Sequence, residues 1–182
     1  PMVLWSYSMF TSFDASSLSD VGGDFEVVDN VSIENIQVSS ISTIGGTYRL
    51  SGNDSLTNFS AANLASVGSD FEVSGNANLS DMGVASISTI GGTYRLSGNV
   101  SLSVVDTNSL QGVTGDLEVS GNTSLTDLGI ASISTIGGTY RLSDNTSLGF
   151  MDAMNLSSVG NDFEVTGNAN LADMDVSSIS TI

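Results

Sequence analysis

The chain has 182 residues, 3 basic against 20 acidic, a net charge of −17 and 40% hydrophobic residues; that is enough for one folded domain and too apolar for a disordered acidic tail. With no His and no Cys it cannot hold a Ser-His-Asp triad, a Cys nucleophile, an imidazole or thiolate metal site, or a disulfide framework. Three arginines against this charge argue against a nucleic-acid partner, and no apolar run approaches the roughly 20 residues that cross a bilayer.

Residues 1–10 read Pro-Met-Val-Leu-Trp-Ser-Tyr-Ser-Met-Phe, without the basic start of a signal peptide and too short for one. Met2 and Leu4, with Phe10 and Phe13, fit the frame of the copies that follow, but Trp5 and Tyr7 stand where later copies carry serine and asparagine. This stretch reads either as a divergent end rung or as a contact patch. One unit on, Leu18, Val21, Phe25 and Val27 keep the same register. The frame itself is set by ISTIGGTYRLS at 41–51, repeated at 87–97 and 133–143, with ISTI again at 179–182, all at intervals of 46. Each interval divides into halves of 23: Ile41-Ser-Thr-Ile44-Gly-Gly-Thr-Tyr-Arg-Leu50 matches Leu64-Ala-Ser-Val67-Gly-Ser-Asp-Phe-Glu-Val73.

Apolar residues hold fixed places in the unit, as in Ile41, Ile44, Tyr48, Leu50, Leu56 and Phe59. Tyr48 and Leu50 alternate with Thr47, Arg49 and Ser51, the period of a strand with one buried face. Gly45-Gly46 before it and Ser51-Gly52-Asn53 after it supply turn chemistry. No sustained helical period competes. One such strand per turn cannot bury its face alone, whereas stacked turns share a continuous apolar interior. The sequence therefore predicts an all-β, right-handed parallel β-solenoid of 23-residue rungs paired into 46-residue repeats. Residues 1–182 form a single repeat domain of about eight rungs, roughly 35 Å tall at ~4.8 Å per rung. An open sandwich is the alternative, but unrelated strands need no fixed frame.

The unit Ile-x-x-Ile-Gly-Gly-x-Tyr-x-Leu-Ser-Gly-Asn-x-Ser-Leu resembles the receptor L-domain type of leucine-rich repeat, found in receptor ectodomains and fungal GPI-anchored cell-wall proteins. The resemblance spans nearly the whole chain at motif level. It implies a right-handed solenoid, an extracellular or cell-surface location and no catalysis. The chain departs from that family in lacking cysteine, in its near-identical copies and in showing no anchor tail.

Three sets of positions recur. Asn30, Asn53, Asn76, Asn99, Asn122, Asn145 and Asn168 share one place, where an inward amide can satisfy the backbone groups a turn leaves unpaired. Five of them lie in sequons that burial would silence; Asn58, Asn78 and Asn155 lie off the ladder and are the better glycosylation candidates. The outward strand column reads Glu26, Arg49, Glu72, Arg95, Glu118, Arg141, Glu164, so every basic side chain stands between two glutamates. Beside it run Asp24, Thr47, Asp70, Thr93, Asp116, Thr139 and Asp162. Both columns space like charges apart and read as register devices, with a recognition face as the other reading.

Asp70 and Glu72 have a spacing that glycosidase carboxylates use, roughly 5–10 Å. The same pair recurs at Asp24/Glu26, Asp116/Glu118 and Asp162/Glu164, and four equivalent pairs on a flat ladder lack an enclosing pocket. No enzyme activity and no cofactor are expected. Calcium needs 6–8 oxygens at about 2.3–2.6 Å, which aspartates on alternate rungs and the scattered Asp81, Asp127, Asp173 and Asp175 do not supply. Ser42-Thr43, Ser88-Thr89 and Ser134-Thr135 could order water as an ice-binding array, but Ala65-Ser66 and Gln111-Gly112 interrupt them. The chain starts at a strand and stops four residues into a unit, so both ends read as uncapped. Met2, Trp5, Tyr7, Ile179 and Ile182 would then meet a neighbouring copy or the next repeat of a longer array. The function expected is an acidic, non-enzymatic, extracellular structural repeat, a filament or surface-fibre unit. The alternative is a ligand-binding or adhesion ectodomain that takes a surface glycan or a protein. The outward columns repeat as regularly as the core, which favours the structural reading.

Overall fold

The computed structural model describes residues 1–4 and 10–182; Trp5 and Tyr7 lie outside the described residues. Among them every regular element is a strand and none is a helix. Parallel strands stack into a β-solenoid of about seven turns. Each full turn contributes three short strands, one to each of three faces. The longest face pairs Met2–Leu4, Phe25–Val28, Tyr48–Ser51, Phe71–Ser74, Tyr94–Ser97, Leu117–Ser120, Tyr140–Ser143 and Phe163–Thr166 in one parallel sheet. A second face stacks seven two-residue strands, from Asp20–Val21 to Ser158–Val159. The third is built of three-residue strands such as Asn58–Ser60, and its sheet comes in three pieces of four, two and two strands.

Register is set on the long face. Leu50 pairs with Val73 and Val73 with Leu96, residue for residue at a 23-residue step. Because side chains alternate across a strand, a slip of one residue would turn the whole apolar column to solvent. The second and third strands escaped the sequence reading for a physical reason. A two- or three-residue strand exposes one buried position, as Ile44 or Phe59, and one position has no period.

The interior is a filled column in which Ile41, Ile44, Tyr48, Leu50, Leu56 and Phe59 are all at most 2% exposed. Aromatic rings stack along the axis: Phe25, Tyr48, Phe71 and Tyr94 have successive centroid separations of 5.6, 4.8 and 5.4 Å. Leu117 interrupts this column, which resumes with Tyr140 against Phe163 at 4.7 Å. Apolar burial at about 25 cal/mol per Å² is the main attraction between turns.

Two corners explain the glycines. After each long strand from Phe25–Val28 onward the chain turns with positive φ, at Gly52, Gly75, Gly98, Gly121 and Gly167, and at Asp29 (55°) and Asp144 (58°). Aspartate is among the few other residues that tolerate this conformation. At the opposite corner Gly45, Gly68, Gly91, Gly137 and Gly160 pack so closely on the preceding turn that a Cβ would meet its carbonyl oxygen. Thr114 takes the same place, and its N–H to Ile90 carbonyl bond is 3.2 Å where the glycines make bonds of 2.8–2.9 Å.

Candidate functional site

The asparagines form one continuous buried network. Asn53, Asn76, Asn99, Asn122 and Asn145 are 0% exposed. Each backbone N–H donates to the Oδ1 of the asparagine one turn later, at 3.0–3.1 Å from Asn53 through Asn122 and 2.9 Å from Asn145 to Asn168. Each Nδ2 donates back to a carbonyl 26 residues earlier, as Asn99 to Val73 at 2.9 Å. An amide is the side chain that can do both, accepting from one turn and donating to another. At the described edges Asn30 is 3% exposed and Asn168 half-buried.

The long face carries the charge column in the order read from sequence. Arg49 bridges Glu26 at 3.2 Å and Glu72 at 3.0 Å, and Arg141 bridges Glu118 at 3.1 Å and Glu164 at 2.7 Å. Arg95 holds Glu118 at 2.7 Å, while Glu72 turns its other oxygen to the Ser74 hydroxyl at 3.0 Å. The hydrogen bond from Glu118 raises the Arg95 guanidinium above its ordinary range, and Glu164 does the same for Arg141. Beside this column, Asp24, Asp70 and Asp116 accept the N–H of Thr47, Thr93 and Thr139 at 2.9, 2.7 and 2.7 Å. Each carboxylate reaches its partner over a glycine of the next turn: a Cβ on Gly46, Gly92 or Gly138 would collide with the aspartate Oδ1 below. This contact ties the aspartate of one turn to a glycine of the next at these three places.

Of the sequon asparagines off the ladder, all three are exposed. Asn78 and Asn155 give Nδ2 to the carbonyls of Asp54 and Ala131 at 2.7 and 2.8 Å, whereas Asn58 touches its neighbour's hydroxyl, Thr57, at 3.3 Å. Met2 and Ile179 are half-buried and Ile182 is 67% exposed. Thr181 bridges to Ser158, so this segment continues the second face. A shallow trough of about 930 Å³ runs along that face past Thr43, Ser66, Thr89, Thr135 and Ser158. The hydroxyls of Ser88, Ser134 and Ser157 donate to carbonyls one turn earlier at 3.0, 3.1 and 2.9 Å, which is turn-to-turn stapling. Among the described residues no three carboxylates converge as a cation needs, and no helix is long and apolar enough to cross a membrane.

Sequence reasoning weighed Asn58, Asp81 and Asp127 singly and did not place them on one strand, and it did not read Val104 or Phe150 at all. In the structure Asn35, Asn58, Asp81, Val104, Asp127 and Phe150 follow one another at equivalent places of the third face. Lining up every 23-residue frame at this position would have shown Val104 and Phe150 beside the acids.

Fold and faces together define the class, a parallel β-solenoid with buried amide and exposed charge ladders. No protein-family model, no curated protein and no solved structure matches this chain.

Proposed function

We propose that the chain is a non-enzymatic structural repeat, a rod-like unit of an extracellular filament or surface fibre that stacks on itself or on neighbouring repeats. The observation behind this reading is the asparagine ladder: the bond joining one turn to the next is the same at every step. A rule of growth by translation accepts any further turn in the same register, and head-to-tail contacts of that kind build open filaments. The carboxylates that could serve hydrolysis are engaged otherwise, Asp70 by the Thr93 N–H and Glu72 by Arg49 and Ser74.

The motif-level likeness to receptor L domains supports a second reading, a ligand-binding or adhesion ectodomain. The irregular third face favours it, since recognition needs residues that differ from turn to turn. Electron microscopy and sedimentation of the purified chain across concentration separate the two. Fibres with an axial repeat near a multiple of ~4.8 Å support stacking; monomers at every concentration contradict it.

A further inference from the structure

The third face changes character halfway along the axis. Its first outward column is polar and uncharged from Ser12 through Asn58, then alternates acid with hydrophobe: Asp81, Val104, Asp127, Phe150, Asp173. Val104 is 45% and Phe150 48% exposed. Each stands beside an aspartate in register, Val104 with Asp127 and Phe150 with Asp173. Met154, 47% exposed, lies four residues beyond Phe150 in the same turn. Core packing does not require these residues outside, since the inward places are filled by Val105 and Met151 at 0% exposure.

The face is also where backbone pairing lapses. The sheet ends at Asp81–Gly83 and resumes at Val104–Asp106, then ends at Asp127–Gly129 and resumes at Phe150–Asp152. At the second break the Ile130 N–H bonds the Leu128 carbonyl at 2.9 Å within its own turn. Both exposed hydrophobes therefore open the strand beyond a break.

Spacing selects the occupant. The unbroken long-face sheet sets the rise at ~4.8 Å per turn, so Val104 and Phe150, two turns apart, are separated by roughly 10 Å along the axis. An α-helix lying along that axis advances about 10.5 Å in seven residues and about 4.5–6 Å in three or four. Apolar side chains at i and i+7 would seat on Val104 and Phe150, with basic ones at i+3 and i+4 over Asp127. An acidic face repels nucleic acid and anionic lipid, and two copies laid side by side on this face would set aspartate against aspartate, which stacking end to end does not. The three arginines of residues 1–182 are held by glutamates of the long face, so none of them supplies the basic side chains.

We propose that the C-terminal half of the third face docks a basic amphipathic helix of another polypeptide, with apolar residues seven apart. The surface does not depend on filament formation, because a single solenoid presents it whole. A monomer that binds, or a fibre that does not, would separate the two ideas.

The probe is a labelled synthetic helix with Leu at i, i+7 and i+14 and Lys at the flanking positions, titrated into the intact chain by fluorescence anisotropy at ~0.15 M salt. Saturable binding is expected. It should weaken at least about tenfold in Val104→Ser/Phe150→Ser and in Asp81→Asn/Asp127→Asn. Asp54→Asn/Asp162→Asn removes the same charge elsewhere and should change affinity less than about twofold. A peptide of equal composition with its Leu residues moved off the seven-residue spacing needs no protein variant and should bind at least about tenfold more weakly. Equal binding by the rearranged peptide, or equal loss in both Asp→Asn pairs, would mean charge attraction alone and overturn the proposal; so would no binding.

Discussion

Tyr48 carries its hydroxyl into the core, where it is fully buried and finds no hydrogen-bond partner among the described residues. Tyr140, in the same column, donates to Met151 Sδ at 2.6 Å. A buried polar group left unpaired costs about 1–3 kcal/mol, so Tyr48→Phe should stabilise the chain by about 1 kcal/mol, seen as a higher denaturant midpoint at unchanged slope. Burial pushes the ionisation of Tyr48, Tyr94 and Tyr140 above the ordinary value of 10.0, and the Thr107 hydroxyl draws Tyr94 back in part. The unfolded chain then loses these protons first as pH rises. Stability is full below about pH 10 and falls above it, so in Tyr7→Phe, which leaves only these three tyrosines, tyrosinate absorbance should appear together with unfolding and not before it. Asn99→Ala has the opposite sign, because it strands the Asn76 N–H and takes a donor from the Val73 carbonyl; a loss of about 1–3 kcal/mol is expected in the same denaturation experiment. The ladder was legible in the sequence because one residue type recurred at one place. The orphaned hydroxyl was not, since whether Tyr48 meets a partner depends on which side chain packs opposite it in another strand.

At the scale of the strand and its corner, alternate turns are coupled through an aspartate and the glycine above it. Asp70 accepts the Thr93 N–H at 2.7 Å only because Gly92 leaves room above it. Ser69 and Asn161 show that a side chain is accepted at that corner when the turn below carries Thr47 or Thr139 in place of aspartate. Gly92→Ala should therefore cost about 2 kcal/mol. The cost should shrink by at least about 0.5 kcal/mol when Asp70→Ala is already present, a coupling that a double-mutant cycle by thermal or denaturant unfolding would read. Alternation of Tyr48 and Leu50 with Thr47, Arg49 and Ser51 made the long strand readable, and the 23-residue frame its partners. Nothing comparable marks Asn58–Ser60 or Thr43–Ile44 as strands: each has one buried residue, and its neighbours are turn formers as often as strand formers. The exposed hydrophobes of the third face were hidden by the same brevity.

For the molecule as a whole, the solenoid follows from a fixed frame: once Leu50, Val73 and Leu96 stand in one column, every other equivalent residue must too. The frame was visible in the spacing of ISTIGGTYRLS. The division of each turn into three faces was not, because corner angles depend on the close backbone packing at Gly45 and the positive φ at Gly52. The absence of native cysteine makes distance measurement direct. Spin labels at Ser51→Cys with Ser143→Cys, Val28→Cys with Ser143→Cys, and Val28→Cys with Thr166→Cys span four, five and six turns. Pulsed electron resonance should return narrow distances near ~19, ~24 and ~29 Å, one rung added each time; distances that fail to grow with each added 23 residues, or that scatter broadly, would contradict the stacked coil.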